Sequence, residues 1–197
     1  MFLQLYQAGR PELRRKAKMV SKEMLAKKQT QELIDLMIET LRDCPGVGLA
    51  APQVGENLQI FIVEDRPEYH EQFPEEIISA QNRKPVSLKV FVNPRLKILE
   101  ADEALFFEGC LSVEGYVAAV PRAKKVKIEA QDRNGRAISL IAEGWFARII
   151  QHEIDHLNGV LFIDRMKNKS FMSLKNFSKS WRKSLPDEIA KEFGHQS

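Results

Sequence analysis

Leu33, Ile34, Met37, Ile38 and Leu41 recur at three- and four-residue spacing within TQELIDLMIETLRD, residues 30–43, which puts them on one face of an amphipathic helix. Cys44-Pro45-Gly46 ends it, since proline cannot extend the helical hydrogen-bond ladder. The period then changes. LQIFIVE, LKVFVNP and RLKILE alternate or run β-branched and read as strands, the last two joined at Asn93-Pro94. KKVKIEAQD and RAISLIA flank Asn134-Gly135, a pair suited to the positive φ angles of a tight hairpin turn. A second helix runs from about Glu143 to Leu157 and stops at Asn158-Gly159. A third spans the basic stretch as far as Leu185, where Pro186 ends or restarts it. The stretch from Asp65 to Pro85 is mostly polar, contains Pro67 and Pro74 and shows no sustained period, so it reads as a loop between strands. The total is α+β: antiparallel sheets packed around a central helix carrying HEIDH, with N-terminal and C-terminal helices.

Composition narrows this only a little. The 197 residues, 44% hydrophobic and 29% charged, suffice for one substantial core, so residues 1–197 are expected to form a single domain. No apolar stretch approaches the length of a membrane span, and the opening MFLQLYQAGRPELRRKAK holds an apolar run too short for a signal peptide. Its Arg and Lys would suit a transit peptide, but Glu12 and Glu23 do not, which favours a cytoplasmic protein over an organellar one. Two cysteines, Cys44 and Cys110, make no disulfide framework. The net charge of +3 is unevenly spread: from Arg165 to Lys183 there are seven basic residues and no acid. A basic helical extension is therefore expected at about 165–197, with Phe171, Leu174, Phe177 and Trp181 packing inward and Lys and Arg free to contact RNA phosphates.

The chemistry gathers in QHEIDHLNG, residues 151–159. His152 and His156 stand four apart, so both imidazoles leave one helix face and can grip one metal ion, with Glu153 beside the open coordination position. The third ligand is not obvious. A metzincin-like pattern needs a glycine three residues after His156 and a histidine six after; Gly159 fits, but the second slot is Phe162. A thermolysin-like pattern needs a later acid, and Asp164, Asp187, Glu188 and Glu192 offer no clear one. Upstream, His70 lies in the polar loop and His195 in the tail. Cys44 suits packing at a helix end. Cys110, within FFEGCLSVEG, follows an apolar run and a glycine that allows close backbone approach, and its thiolate would complete a three-ligand site; it would equally suit a core cysteine.

A third segment, GVGLAAPQ, begins at Gly46. With EGCLS and QHEIDH, in that order and separation, it resembles the three signature motifs of the peptide deformylases, and nearly the whole chain is compatible with the likeness. The resemblance implies that Cys110, His152 and His156 hold one divalent metal, Fe(II) with Zn or Ni as substitutes, and that a water activated by it attacks the formyl carbon of the initiator methionine of nascent chains, releasing formate. Glu153 would carry the proton to the departing amine, and the Gln53 amide with the Leu111 backbone N–H would stabilise the growing negative charge. Gln53 would equally suit a turn-capping role. The resemblance further places Val47, Trp145 and Ile149 near an apolar pocket for the methionine side chain, gives Gly48 backbone hydrogen bonds to an extended peptide, and makes Glu108 and Arg122 an ion pair supporting the metal loop. Many bacterial members carry an arginine seven residues after the metal cysteine, where this chain has Val117. Family members with basic C-terminal helices imply docking at the ribosome. Two rival readings are a zincin-like metallopeptidase and a non-catalytic, ribosome-associated metal-binding module.

Overall fold

The first helical stripe starts two residues before its periodicity announces it. In the computed structural model, which describes residues 2–194, a single turn α1 (Lys22–Leu25), whose first amides are met by the Ser21 side chain accepting from Met24 N–H, leads into α2 (Lys28–Asp43). After Cys44 come β1 (Gly48–Ala50), a tight turn at Ala51–Val54, β2 (Ile60–Asp65), α3 (Glu75–Ala80) and β3 (Val86–Ile98). Then follow β4 (Glu103–Cys110), β5 (Val113–Ala123), β6 (Lys125–Gln131), β7 (Ala137–Glu143) and α4 (Gly144–Leu157). The chain closes with β8 (Met172–Ser173), α5 (Leu174–Ser180) and α6 (Pro186–Phe193).

The pairings between these strands are antiparallel, and an isolated parallel bridge joins Lys18 to Leu58. One sheet runs in the order β1-β2-β3-β6-β7, a second in the order β4-β5-β8, so β1 and β4 are both edges. The apolar run of β2 is continuous because both faces are covered. Ile60 and Ile62 meet Ile34, Met37 and Leu41 of α2, while Phe61 and Val63 meet Ala147, Ile149 and Ile150 of α4. Burial of each such side chain contributes about 1.5–3 kcal/mol, which is why α4 sits fixed against the sheet despite its two histidines. Truncating Ile62, fully buried, to alanine would open a cavity costing ~2–5 kcal/mol. Among the described residues, no helix is long and apolar enough to cross a membrane.

Three expectations change. Asn93-Pro94 does not separate two strands: β3 passes through it as one bent strand whose register with β6 shifts between Val92 and Arg95. The bulge tolerates a proline without an N–H, and Asn93, at φ 51°, anchors it by bonding both the N–H and the carbonyl of Val20 at 2.8 Å. The Asp65–Pro85 stretch is not featureless either, for it contains α3 and a buried fork in which Arg83 donates to Asp65 at 2.9 and 2.7 Å. Finally, no single helix spans the basic stretch. The backbone left unpaired along β5 is taken up by β8, Tyr116 opposite Ser173 and Val117 opposite Met172, and this interrupts the helical period. Phe177 and Trp181 pack on Phe107 as expected, but Phe171 stacks on Tyr116 at the sheet edge and Leu174 is exposed. Pro186 restarts a helix rather than ending one, as the first residue of α6.

Candidate metal centre

Two elements bring the donor atoms together. α4 presents His152 and His156 one turn apart, and β4 ends at Cys110, where the register with β5 shifts between Gly109 and Cys110. Such an irregularity re-aims a side chain, and here it turns the thiol toward the helix. The donor atoms of Cys110, His152 and His156 all lie within 4.8 Å of one another, with Sγ 3.2 Å from His156 Nε2. An ion with metal–sulfur and metal–nitrogen bonds of usual length, seen at a tetrahedral angle, separates such atoms by about 3.5 Å, so the residues fit a metal. His152 Nδ1 meets Glu108 Oε2 at 3.0 Å, which leaves Nε2 as the ring nitrogen able to serve a metal. His156 is fully buried, and its Nδ1 has no protein partner.

Around the triad, β1 lies against the carboxylate of Glu153. A Cβ on Gly48 would fall 2.3 Å from Glu153 Oε1, so only glycine lets this backbone approach. Glu153 is 3% exposed, burial raises its pKa to about 7, and its Oε2 has no partner. A divalent ion beside it acts in the opposite direction, favouring the carboxylate. Gln53, also buried, is fixed through both ends of its amide. Oε1 accepts from the Ala50 N–H at 2.8 Å, and Nε2 faces Ser112 Oγ at 3.2 Å and Cys110 Sγ at 3.5 Å. It therefore both caps its turn and points its donor at the thiol. Leu111 follows Cys110 directly and packs against the loop at Gly46, while its carbonyl accepts from Gln7. Val47, Trp145 and Ile149 join the core cluster behind α4; Ile149 is buried, whereas half-buried Trp145 lies edge-on to Phe106 and under Arg83.

The other candidate ligands stay apart. His70 Nε2 lies 3.2 Å from Asp65, Asp164 pairs with Arg14, Cys44 ends α2 with its pKa pushed up by burial, and Asp187, Glu188 and Glu192 lie on α6. His195 lies outside the described residues.

The largest omission from the sequence reading is a buried charge network. Arg122 forks onto Glu108 at 2.9 Å through both Nε and Nη2, as expected of that pair, but it also donates to Asp155 at 2.5 Å. Arg148 Nη1 donates to Glu108 at 2.6 Å, and Arg165 forks onto Asp155. Burial alone would raise the Glu108 pKa; Arg122, the His152 bond and Arg148 outweigh it and hold the carboxyl well below its usual range. For Arg148 burial dominates and, with Arg122 nearby, lowers the pKa to about 10, still a cation at neutral pH. The signal was present in the sequence. Arg148 and Asp155 share the helix stripe of His152, so charges there had to be buried and paired. A cleft of about 560 Å³ between β4 and α6 reaches Arg148 and Arg122 but includes none of the three donor residues.

A family model described as polypeptide deformylase matches residues 2–172. The chain is 44% identical over 172 residues to peptide deformylase 1A, chloroplastic, of Solanum lycopersicum, covering 87% of this chain. It spans 62% of that relative's length. It is 38% identical over 194 residues to peptide deformylase 1 of Streptomyces coelicolor, covering 98% of this chain and 87% of the relative. A Met-Ala-Ser-bound crystal structure of class I type b peptide deformylase from Acinetobacter baumannii superposes with a TM-score of 0.73 at 34% identity, covering 84% of this chain and 99% of the other.

Proposed function

This chain belongs to the polypeptide deformylase family, and from that premise we propose that it is a metal-dependent hydrolase that removes the formyl group from the initiator methionine of nascent polypeptides and releases formate. The observation that carries this reading is one thiol and two imidazoles within 4.8 Å of one another, beside a buried Glu153 carboxylate oxygen that has no partner. Cys110, His152 and His156 would hold a divalent ion, which would supply a Lewis acid able to lower the pKa of water toward neutrality. Glu153 takes the proton of that water and passes it to the departing amine. Gln53 Nε2 and the Leu111 N–H donate to the formyl oxygen as negative charge grows on it, and the Ala50 bond keeps the Gln53 amide from turning away. The free edges of β1 at Gly48 and of β4 leave room for an extended peptide to add as a strand, with its methionine side chain toward Val47, Ile149 and Trp145.

We read residues 1–197 as one deformylase domain with a basic extension from about 165, acting in the cytoplasm. A thiolate with two imidazoles suits Fe(II), with Zn(II) or Ni(II) able to replace it. Lys175, Lys179 and Lys183 are exposed and would meet ribosomal RNA, whereas Arg182 turns back to bond Gln72 and cover Phe73. Protein purified without oxygen and incubated with a short formyl-Met peptide is expected to release formate, but to leave an acetylated peptide and casein intact. Casein cleavage without formate release would favour a peptidase; no reaction with any of the three would favour a non-catalytic module.

A further inference from the structure

Arg148 is a buried charge that belongs to none of the three motifs. It stands four residues before His152, so the two side chains leave one face of α4 a turn apart, and both end on Glu108. Arg148 Nη1 donates to Glu108 Oε1 at 2.6 Å while His152 Nδ1 meets Oε2 at 3.0 Å. The same guanidinium donates to the Val120 carbonyl at 2.8 Å and to the Ala104 carbonyl at 2.5 Å. One side chain of α4 thus holds the carboxylate, the start of β4 and the middle of β5. Arg122 also grips Glu108, but it projects from β5 and is shared with Asp155. Both arginines tie Glu108 to the helix that bears the two histidines, Arg122 across to Asp155 and Arg148 directly, as itself a residue of that helix one turn before His152. Arg148 is 3% exposed, with its guanidinium 5.2 Å from the Phe106 ring centre.

We propose that Arg148 is a positioning residue of the metal centre: by fixing the rotation of the Glu108 carboxylate, it keeps Oε2 on His152 Nδ1 and so aims the other ring nitrogen at the metal. The inference rests on the metal reading of Cys110, His152 and His156. Partners that orient a metal-bound histidine typically change metal affinity by about 10–100-fold when removed. A merely stabilising arginine would leave the bound ion unaffected.

The test uses Co(II) as a probe, added to metal-free wild type, Arg148→Met, Arg148→Lys and Arg83→Met. Arg83 is a matched control, since it is buried, forks onto Asp65 and does not touch Glu108. Wild type should bind one Co(II) per chain with visible d–d absorption. Arg148→Met should release it to a chelator about 10–100-fold faster, with altered bands and an intact far-UV spectrum. Arg148→Lys, whose single ammonium cannot serve Glu108 and both carbonyls together, should fall between. Arg83→Met should lose thermal stability yet keep the wild-type release rate and bands. Wild-type rates and bands in Arg148→Met overturn the proposal; in Arg148→Lys they do so even where the methionine variant fails to fold. Equal loss in Arg83→Met overturns it too. Failure of wild type to bind Co(II) overturns the metal reading itself.

Discussion

Two groups of cations in this molecule behave in opposite ways. Arg122 and Arg148 lie buried around Glu108, each bonded through more than one nitrogen, while Lys175, Lys179 and Lys183 of the C-terminal segment stand in solvent. The buried group sets the orientation of a candidate ligand; the exposed group sets only a field. Charge therefore acts through geometry in the first region and through long-range attraction in the second, and the two should respond differently to substitution, acid and salt.

The sharpest test is Glu153, which is buried like Glu108 but has an oxygen without a partner. If that vacancy serves proton transfer, Glu153→Ala should keep its metal and lose ~10²–10⁴-fold in formate release. Near wild-type turnover in the metal-loaded variant would remove Glu153 from the mechanism.

Next in size comes the paired carboxylate. Glu108→Leu leaves Arg148 without its carboxylate and Arg122 with Asp155 alone, and should cost about 3–5 kcal/mol in urea unfolding of the metal-free protein. The milder Glu108→Gln tests the sign with pH. The folded carboxyl is held below its ordinary value, so its stabilisation is complete above about pH 4.3, the unfolded value, and is lost as pH falls through the lower folded value. The gap between wild type and Glu108→Gln should narrow on acidification; a gap that widens would contradict the network as drawn.

The cysteines give a smaller contrast of the same kind. Cys110→Ser should weaken metal binding and change reactivity, whereas Cys44→Ser, at the end of α2, should change little. Metal content that follows Cys44 instead would misassign the site.

Smallest of all in stability is the exposed group. Lys175, Lys179 and Lys183 changed together to Glu should each shift stability by no more than about 0.5 kcal/mol and leave activity on short peptides intact. The same variant should lose salt-sensitive cosedimentation with ribosomes. Unchanged cosedimentation in low salt would reduce these lysines to a solvated surface.

The same contrast explains what could be read from the sequence. α2 and the β6–β7 hairpin were legible because each follows one period of burial, and α4 because it stops at Asn158-Gly159 and carries His152, Glu153 and His156 at a spacing that only a helix makes useful. Arg148 and Asp155 share the stripe of His152 but were passed over, because a charge within a helix is usually taken for its solvent face; β4 and β5, packed across α4, bury them. β8 escaped for a related reason. Two residues carry no period of their own, and their conformation is dictated by the unpaired edge of β5, more than fifty residues earlier in the chain.

The bulge that turns Cys110 toward α4 has a consequence for the order of events during synthesis. The cysteine and His156 are 46 residues apart, so the strand that bears the thiol leaves the ribosome well before the helix that completes the site. For that interval Cys110 has neither imidazole beside it. Oxidation of a thiol depends on how exposed it is, so the newly made chain passes through a stage in which this candidate metal ligand is open to oxidants, and closure of α4 onto β4 ends that exposure.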